Sequence, residues 1–184
     1  MKRLLLALTA VLLLTGCGQK ASEGLRIRQK LRAAPGCRFS CTVTAEYEDK
    51  AASFSMDCTA DADGQVRFTV TAPETIAGIT GTVSGEGGTL TFDETVLALP
   101  LLADGTLAPV RGPWVMLHSL TGGYLVSEVR EGETLHLSVN DSYRDDALGL
   151  ELWLDGTDAP VRCEIACSGR RVMTMEVANF ACLS

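Results

Sequence analysis

From Arg38 onward, apolar and polar residues alternate with a period of two. Phe39, Cys41, Val43, Ala45 and Tyr47 fall on one side, and Ser40, Thr42, Thr44 and Glu46 on the other. Side chains of a strand point alternately to its two faces, so this pattern predicts a strand buried on one face. Ala52, Phe54, Met56, Cys58 and Ala60 repeat the alternation after Asp49-Lys50. With Asp49-Lys50 as a two-residue loop, Tyr47 pairs with Ala52, Ala45 with Phe54, Val43 with Met56, and Cys41 with Cys58. Apolar then meets apolar at every inward position. Neither loop residue is glycine, so the pairing rests on the pattern rather than on turn chemistry.

The alternation continues through Val66, Phe68, Val70 and Ala72, then through Ile76, Ile79 and Val83 up to the turn Gly85-Glu86-Gly87-Gly88. Short strands follow at 90–92 and 96–101, and longer ones at 124–130, 134–139, 149–154, 162–167 and 172–180. Two segments break the pattern. Trp114, Val115, Leu117 and His118 recur at helical spacing within 109–120, and Gly122-Gly123 ends that run. A shorter helix precedes the first strand, with Ser22 as N-cap and Pro35-Gly36 as its stop. About ten antiparallel strands in chain order, a short N-terminal helix and one mid-chain helix predict a mainly β, α+β domain. The expected form is a single curved antiparallel sheet, an open half-barrel, with the helices covering its concave face.

Ahead of this domain stands different text. Lys2 and Arg3 precede an apolar run over 4–14, which ends in Leu14-Thr15-Gly16-Cys17. The run is short for a membrane span and its flanks suit a signal peptide. The tetrapeptide resembles the lipobox of bacterial lipoproteins, which implies cleavage before Cys17 and acylation of its sulfur. The chain thus divides into a signal peptide at 1–16, a lipidated tether with a short helix at 17–36, and the half-barrel at 37–184. The expected location is the outer face of the cell membrane, held by the N-terminal lipid. Lys20, Arg26, Arg28, Lys30 and Arg32 make the tether the most basic stretch. Two readings stand: attraction to anionic headgroups, or a solvated helix face packed on the domain.

Composition narrows the chemistry. The formal charge is -7, and loss of 1–16 removes two bases and no acid, so the mature part is more acidic still. Such a surface excludes general nucleic-acid binding, which needs cations against phosphate. Six of the seven cysteines remain once Cys17 is set aside, and an even number in an exported chain suggests disulfides. The hairpin pairing predicts one, Cys41–Cys58. Cys37-x₃-Cys41 and Cys163-x₃-Cys167 raise zinc, but residues four apart in a strand lie about 13 Å apart, too far for one tetrahedral site. His118 and His136 have no recognisable nucleophile beside them, and the glycine-rich turn at 85–88 lacks the lysine of a phosphate loop. We therefore expect no catalytic residue, no metal and no cofactor.

The inward positions carry a surplus of apolar side chains: Phe54, Met56, Phe68, Val70, Leu90 and Phe92. An open sheet buries them only beneath helices or around a ligand. Trp114 and Leu117 place segment 109–120 over them as a movable cover, and methionines such as Met56 and Met116 suit an adaptable site. The competing reading is a core filled by these side chains. The lipobox, the helix before the first strand and the long antiparallel run resemble the LolA/LolB-like group. Local echoes are Pro73-Glu74-Thr75-Ile76-Ala77-Gly78, Gly88-Thr89-Leu90-Thr91-Phe92-Asp93, Pro160-Val161-Arg162-Cys163-Glu164-Ile165 and Val177-Ala178-Asn179-Phe180. That resemblance implies an open half-barrel holding acyl chains or another apolar ligand; the extra cysteines depart from the group's pattern. Two functions follow: a lipoprotein binding a lipid-like or other hydrophobic ligand, or an envelope module with a protein partner, as in sigma-factor regulatory lipoproteins of similar fold.

Overall fold

The alternation beginning near Arg38 forms the centre of the sheet, and the rest of the chain is arranged around it. A computed structural model describes residues 22–47, 50–92, 95–99, 102–103 and 106–184; the leader and Cys17 lie outside them. Helix α1 (Glu23–Ala33) leads into strands β1 (Gly36–Tyr47), β2 (Lys50–Asp61) and β3 (Val66–Ala72). A single 3-10 turn (Glu74–Ile76) precedes β4 (Thr80–Ser84), β5 (Gly87–Phe92) and β6 (Thr95–Leu99). A small hairpin, β7 (Leu102–Ala103) with β8 (Thr106–Leu107), and a second 3-10 turn (Pro109–Arg111) lead to helix α2 (Gly112–Gly122). The chain ends in β9 (Tyr124–Glu131), β10 (Thr134–Asn140), β11 (Gly149–Leu154), β12 (Pro160–Cys167) and β13 (Arg170–Cys182).

Eleven strands make one open antiparallel sheet in the order β6-β5-β4-β3-β2-β1-β13-β12-β11-β10-β9. The half-barrel is as expected, but the path differs from a single meander in chain order. Two meanders meet where the first strand pairs with the last. The cause is α2, which carries the chain from the β6 side across the concave face. Its Gly112 rests on the Met173 and Met175 sulfurs of β13, and Gly123, just past its end, abuts Val139 and Asn140 of β10. The chain then restarts at the far edge with β9 and works back to β1.

Burial follows the period of two. Phe39, Cys41, Val43 and Ala45 of β1 are buried, as are Leu135, Leu137 and Val139 of β10 and Leu150, Leu152 and Leu154 of β11. The outer face of the first hairpin is a ladder of hydroxyls: Ser40 Oγ donates to Asp57 Oδ1 at 2.7 Å, and Thr42 and Ser55 hydroxyls pair at 2.9 Å. This ladder marks a register two residues away from the expected one. Tyr47 pairs with Lys50, Val43 with Phe54, Cys41 with Met56 and Phe39 with Cys58. The connection is therefore at 48–49, outside the described residues. A shift of two keeps every side chain on its own face, so the apolar pattern satisfies both registers equally. The expected direct pairing of Cys41 with Cys58 is not made in that register. The two are diagonal rather than direct neighbours across the ladder, a relation with Cα atoms about 7–8 Å apart. Contact with the Cys41 thiol, and then burial, hold the Cys58 pKa well above the usual thiol value.

Helix α1 is held by charges brought from distant strands. Ser22 caps it, accepting from the Leu25 amide at 3.2 Å. Glu128 of β9 accepts from the Ser22 hydroxyl at 2.6 Å and the Gly24 amide at 3.1 Å, placing a carboxylate at the positive end of the helix. Arg26 grips Asp158 with two hydrogen bonds of 2.8 and 2.9 Å, and Lys30 lies 3.6 Å from the same carboxylate. Arg28 donates to the Leu120 carbonyl at 3.0 Å, at the negative end of α2. These three basic residues are engaged with the domain itself, the second of the two readings. Ile27 is fully buried beneath them, worth about 2–3 kcal/mol of apolar transfer.

Two tests follow. A Cβ at Gly123 would sit 2.6 Å from the Asn140 carbonyl oxygen and 2.7 Å from that of Ser119, whereas one at Gly122 meets nothing within 4 Å. Gly123→Ala should cost about 1–3 kcal/mol in urea unfolding, and Gly122→Ala should be neutral or stabilising. The second concerns acid. Hydrogen bonds from Arg26 hold the Asp158 carboxyl below its ordinary value, and Arg130 does the same for Glu23. Groups with depressed folded pKa stabilise fully above their unfolded values, near pH 4, and lose that contribution as pH falls through the folded ones. The melting temperature should fall below about pH 4, and less steeply in Asp158→Asn, measured by circular dichroism.

Candidate ligand site

The two helices divide the concave face unequally. Helix α1 packs on β9 and β10, with Gly24 against Leu125 and Leu137, while the Pro109–Arg111 turn and α2 lie over β1, β13 and β10. Side chains beneath them, such as Leu137, Leu152, Ile165 and Met173, are buried. Over β2 to β5 the cover is thinner. Met56, Phe68 and Val70 are buried there, yet Phe54, Ile76, Ile79, Leu90 and Trp114 remain partly accessible while packed against the core. Gly81 lies directly opposite both Phe68 and Leu90. A Cβ at Gly81 would stand 2.5 Å from the Phe68 ring, so this glycine lets the ring lie flat along the concave surface.

Five of the expected cavity residues, Phe54, Met56, Phe68, Val70 and Leu90, thus share the concave face of neighbouring strands. Phe92 ends β5, and its side chain lies outside the described part. Trp114 stands above the β4–β5 turn, its ring 3.5 Å from where a Cβ of Gly85 would be. Leu117 is elsewhere. It faces a separate cleft of about 190 Å³ at the rim of the sheet, with Leu31 and Arg32 of α1, Cys37, Ala60 and Asp61 of the first hairpin, and His118. An apolar floor under an arginine, a histidine and an aspartate suits an amphipathic group. The volume is below the 300–1,000 Å³ usual for small-molecule sites, so the cleft is too small to enclose a whole ligand of that size.

Sequence reasoning passed over Arg111. Its side chain is 1% exposed and donates one hydrogen bond, from Nη2 to the Ser84 carbonyl at 3.0 Å. Nη1 is buried without a partner, and the guanidinium lies 5.1 Å from the centre of the Trp114 ring. Burial lowers its pKa from the ordinary arginine value. A cation in such surroundings costs several kcal/mol unless a counter-charge or dipoles compensate it. The one available signal was an arginine inside the otherwise apolar stretch from Leu107 to Leu117.

The remaining residues weighed for chemistry are scattered. His118 is exposed and stacks on Trp114, centroids 4.7 Å apart. His136 lies on the outer face of the sheet, stacked on Trp153 at 4.7 Å with its Nε2 2.6 Å from Glu151 Oε2. Trp153, sandwiched between His136 and Arg162, neither lines the concavity nor fills the core. Cys37 and Cys41 lie within β1, and Cys163 and Cys167 within β12. Among the described residues no three His, Cys, Asp or Glu side chains gather as a metal site requires.

No protein-family model matches the chain, and no curated protein matches it in sequence. Solved structures do. An outer membrane lipoprotein-sorting protein domain from Vibrio parahaemolyticus superposes with a TM-score of 0.50 at 8% identity, over 88% of this chain and 92% of that one. A conserved protein from Thermus thermophilus reaches 0.49 at 16% identity, covering 90% and 89%. A LolA superfamily protein from Nitrosomonas europaea reaches 0.46 at 10%, covering 89% and 95%. At these identities the likeness is one of architecture. The chain shares the open half-barrel fold of the Vibrio parahaemolyticus domain.

Proposed function

We propose that this chain is an extracytoplasmic lipoprotein, anchored through Cys17, that binds a lipid-like or other hydrophobic ligand on its concave face. The observation that carries this reading is the uneven cover of the sheet. Beneath α1 and α2, strand side chains such as Leu137, Leu152, Ile165 and Met173 are buried, while over β2 to β5 the apolar side chains Phe54, Ile76, Ile79, Leu90 and Trp114 are partly accessible. A ligand laid there removes both its own apolar surface and theirs from water. Each buried methylene contributes about 0.8 kcal/mol, so about ten of them correspond to micromolar affinity. Arg111 adds a preference. An anionic head beside Nη1 completes the hydrogen bonding of a buried cation and neutralises its charge, whereas a neutral acceptor supplies only the weaker hydrogen bond.

A second reading rests on a different observation. Strand β9 forms one edge of the sheet, with Tyr124, Val126 and Val129 exposed on it and the Tyr143 ring tilted against that of Tyr124, centroids 5.1 Å apart. An exposed edge of this kind accepts an added strand. This favours an envelope module that pairs with an extended segment of another protein.

The test is titration of the chain lacking residues 1–17 with a fluorescent fatty acid and with its neutral methyl ester. The acid should bind saturably and more tightly than the ester. Leu90→Glu, at a partly accessible position, should weaken both at least tenfold with the circular dichroism spectrum unchanged. Absence of saturable binding would leave the edge-strand reading alone.

A further inference from the structure

We propose that Cys37 and Cys182 form a disulfide that fastens the end of β13 to the start of β1. The two are direct partners across the antiparallel ladder. The Leu183 amide donates to the Gly36 carbonyl at 2.9 Å, which makes 36/183 a hydrogen-bonded pair and 37/182 the adjacent non-hydrogen-bonded one. At such pairs Cα atoms come to about 4.5 Å and side chains converge, within the range a disulfide spans. The other described cysteines have no such partner: Cys41 and Cys58 are diagonal, Cys163 faces Leu152 and Met175, and Cys167 faces Arg170.

A bulge brings the two cysteines to one face. Met173, Met175 and Val177 point inward from β13, so a regular strand would turn Cys182 outward. Arg38 pairs with Ala181 but Ser40 with Ala178, three steps in β13 for two in β1. The extra residue is accommodated around Asn179, at φ 56 in the left-handed region that asparagine tolerates. Beyond it the parity is reversed. Phe180 stacks on Phe39, centroids 5.7 Å apart, and Cys182 joins Cys37 on that side.

Cys182 is exposed and Cys37 is buried. Burial first, and then the neighbouring Cys182, push the Cys37 thiol up to about 12. Cys182 is therefore the thiol that reacts first. As its thiolate it attacks one sulfur of an oxidant disulfide, a small-molecule or protein disulfide of an exported compartment, and displaces one oxidant thiol. The Cys37 sulfur, losing its proton, then attacks the Cys182 sulfur and displaces the second. Two protein thiols and one oxidant disulfide become one protein disulfide and two oxidant thiols. The two electrons and two protons pass to the oxidant. The bridge secures the stretch beyond the bulge, where ladder pairing is shortest. It also joins the walls of two openings on either side of Leu31, one lined by Cys37 and the other by Cys182.

The full-length chain, reduced in detergent, is equilibrated with glutathione mixtures. Free thiols are then alkylated and the protein is digested without reductant for mass mapping. The expected product is the Cys37 peptide joined to the Cys182 peptide, two hydrogens lighter than their sum. The oxidised protein should melt roughly 10 °C above the reduced one, because the loop enclosed spans most of the domain. Cys182→Ser, at an exposed position that leaves the core intact, should abolish that difference. Alkylation of both residues under excess oxidised glutathione would overturn the proposal. So would a bridge from either residue to another cysteine, or a redox-dependent melting shift that persists in Cys182→Ser.

Discussion

Everything in this fold depends on the pairing of the first strand with the last. Strand β1 is flanked by β2 on one side and β13 on the other, so the two meanders form one sheet only through the β1–β13 ladder. That ladder is non-local in the extreme, running from Cys37↔Cys182 to Ala45↔Met173. Its loop-closure entropy must be met before any of its contacts form. The compensation is burial on the inner face, where Val43, Met173 and Met175 are fully enclosed. Helix α2 belongs to the same junction. It starts on the Met173 and Met175 sulfurs, so the connection between the meanders is packed on the seam it makes necessary.

This arrangement explains why the concave face is unevenly covered. The helices follow the seam and the β9–β10 side because their anchors are there: Glu128 and Asp158 for α1, and β13 and β10 for α2. Among the described residues, the β2–β5 side is anchored to the cover by Trp114 and the Arg111–Ser84 hydrogen bond. A buried guanidinium with one hydrogen bond is a weak fastening by itself, since its desolvation offsets much of what the bond contributes.

Much of this was legible in the chain. Alternation placed most strands to within a residue or two, although β4 begins at Thr80 after a 3-10 turn over Glu74–Ile76 and β5 already at Gly87; Ser22, Pro35 and the Gly122-Gly123 pair marked helix ends as the structure has them. Alternation is blind to shifts of two residues, which is why it allowed a first hairpin with Cys41 opposite Cys58. Chain order is equally blind to a helix that crosses the sheet, and so a single meander was expected where two are joined. Phe54, Met56, Phe68, Val70 and Leu90 were recognised as one surface because period-two arithmetic suffices for neighbouring strands. Leu117 was misplaced because the face a helical residue presents depends on how the helix crosses the sheet. Arg111 and the Asn179 bulge carried no periodic signal at all. Their roles arise from burial and from a single inserted residue, both properties of tertiary pairing.

The claim that the thinly covered half of the concave face is a ligand site is tested most directly by native mass spectrometry of the full-length protein, extracted in mild detergent from its own membrane. The account predicts a population heavier than the acylated chain by the mass of a lipid-like hydrophobe. That population should be depleted in Leu90→Glu. A single unliganded mass in both proteins, from membranes rich in free lipid, would contradict it.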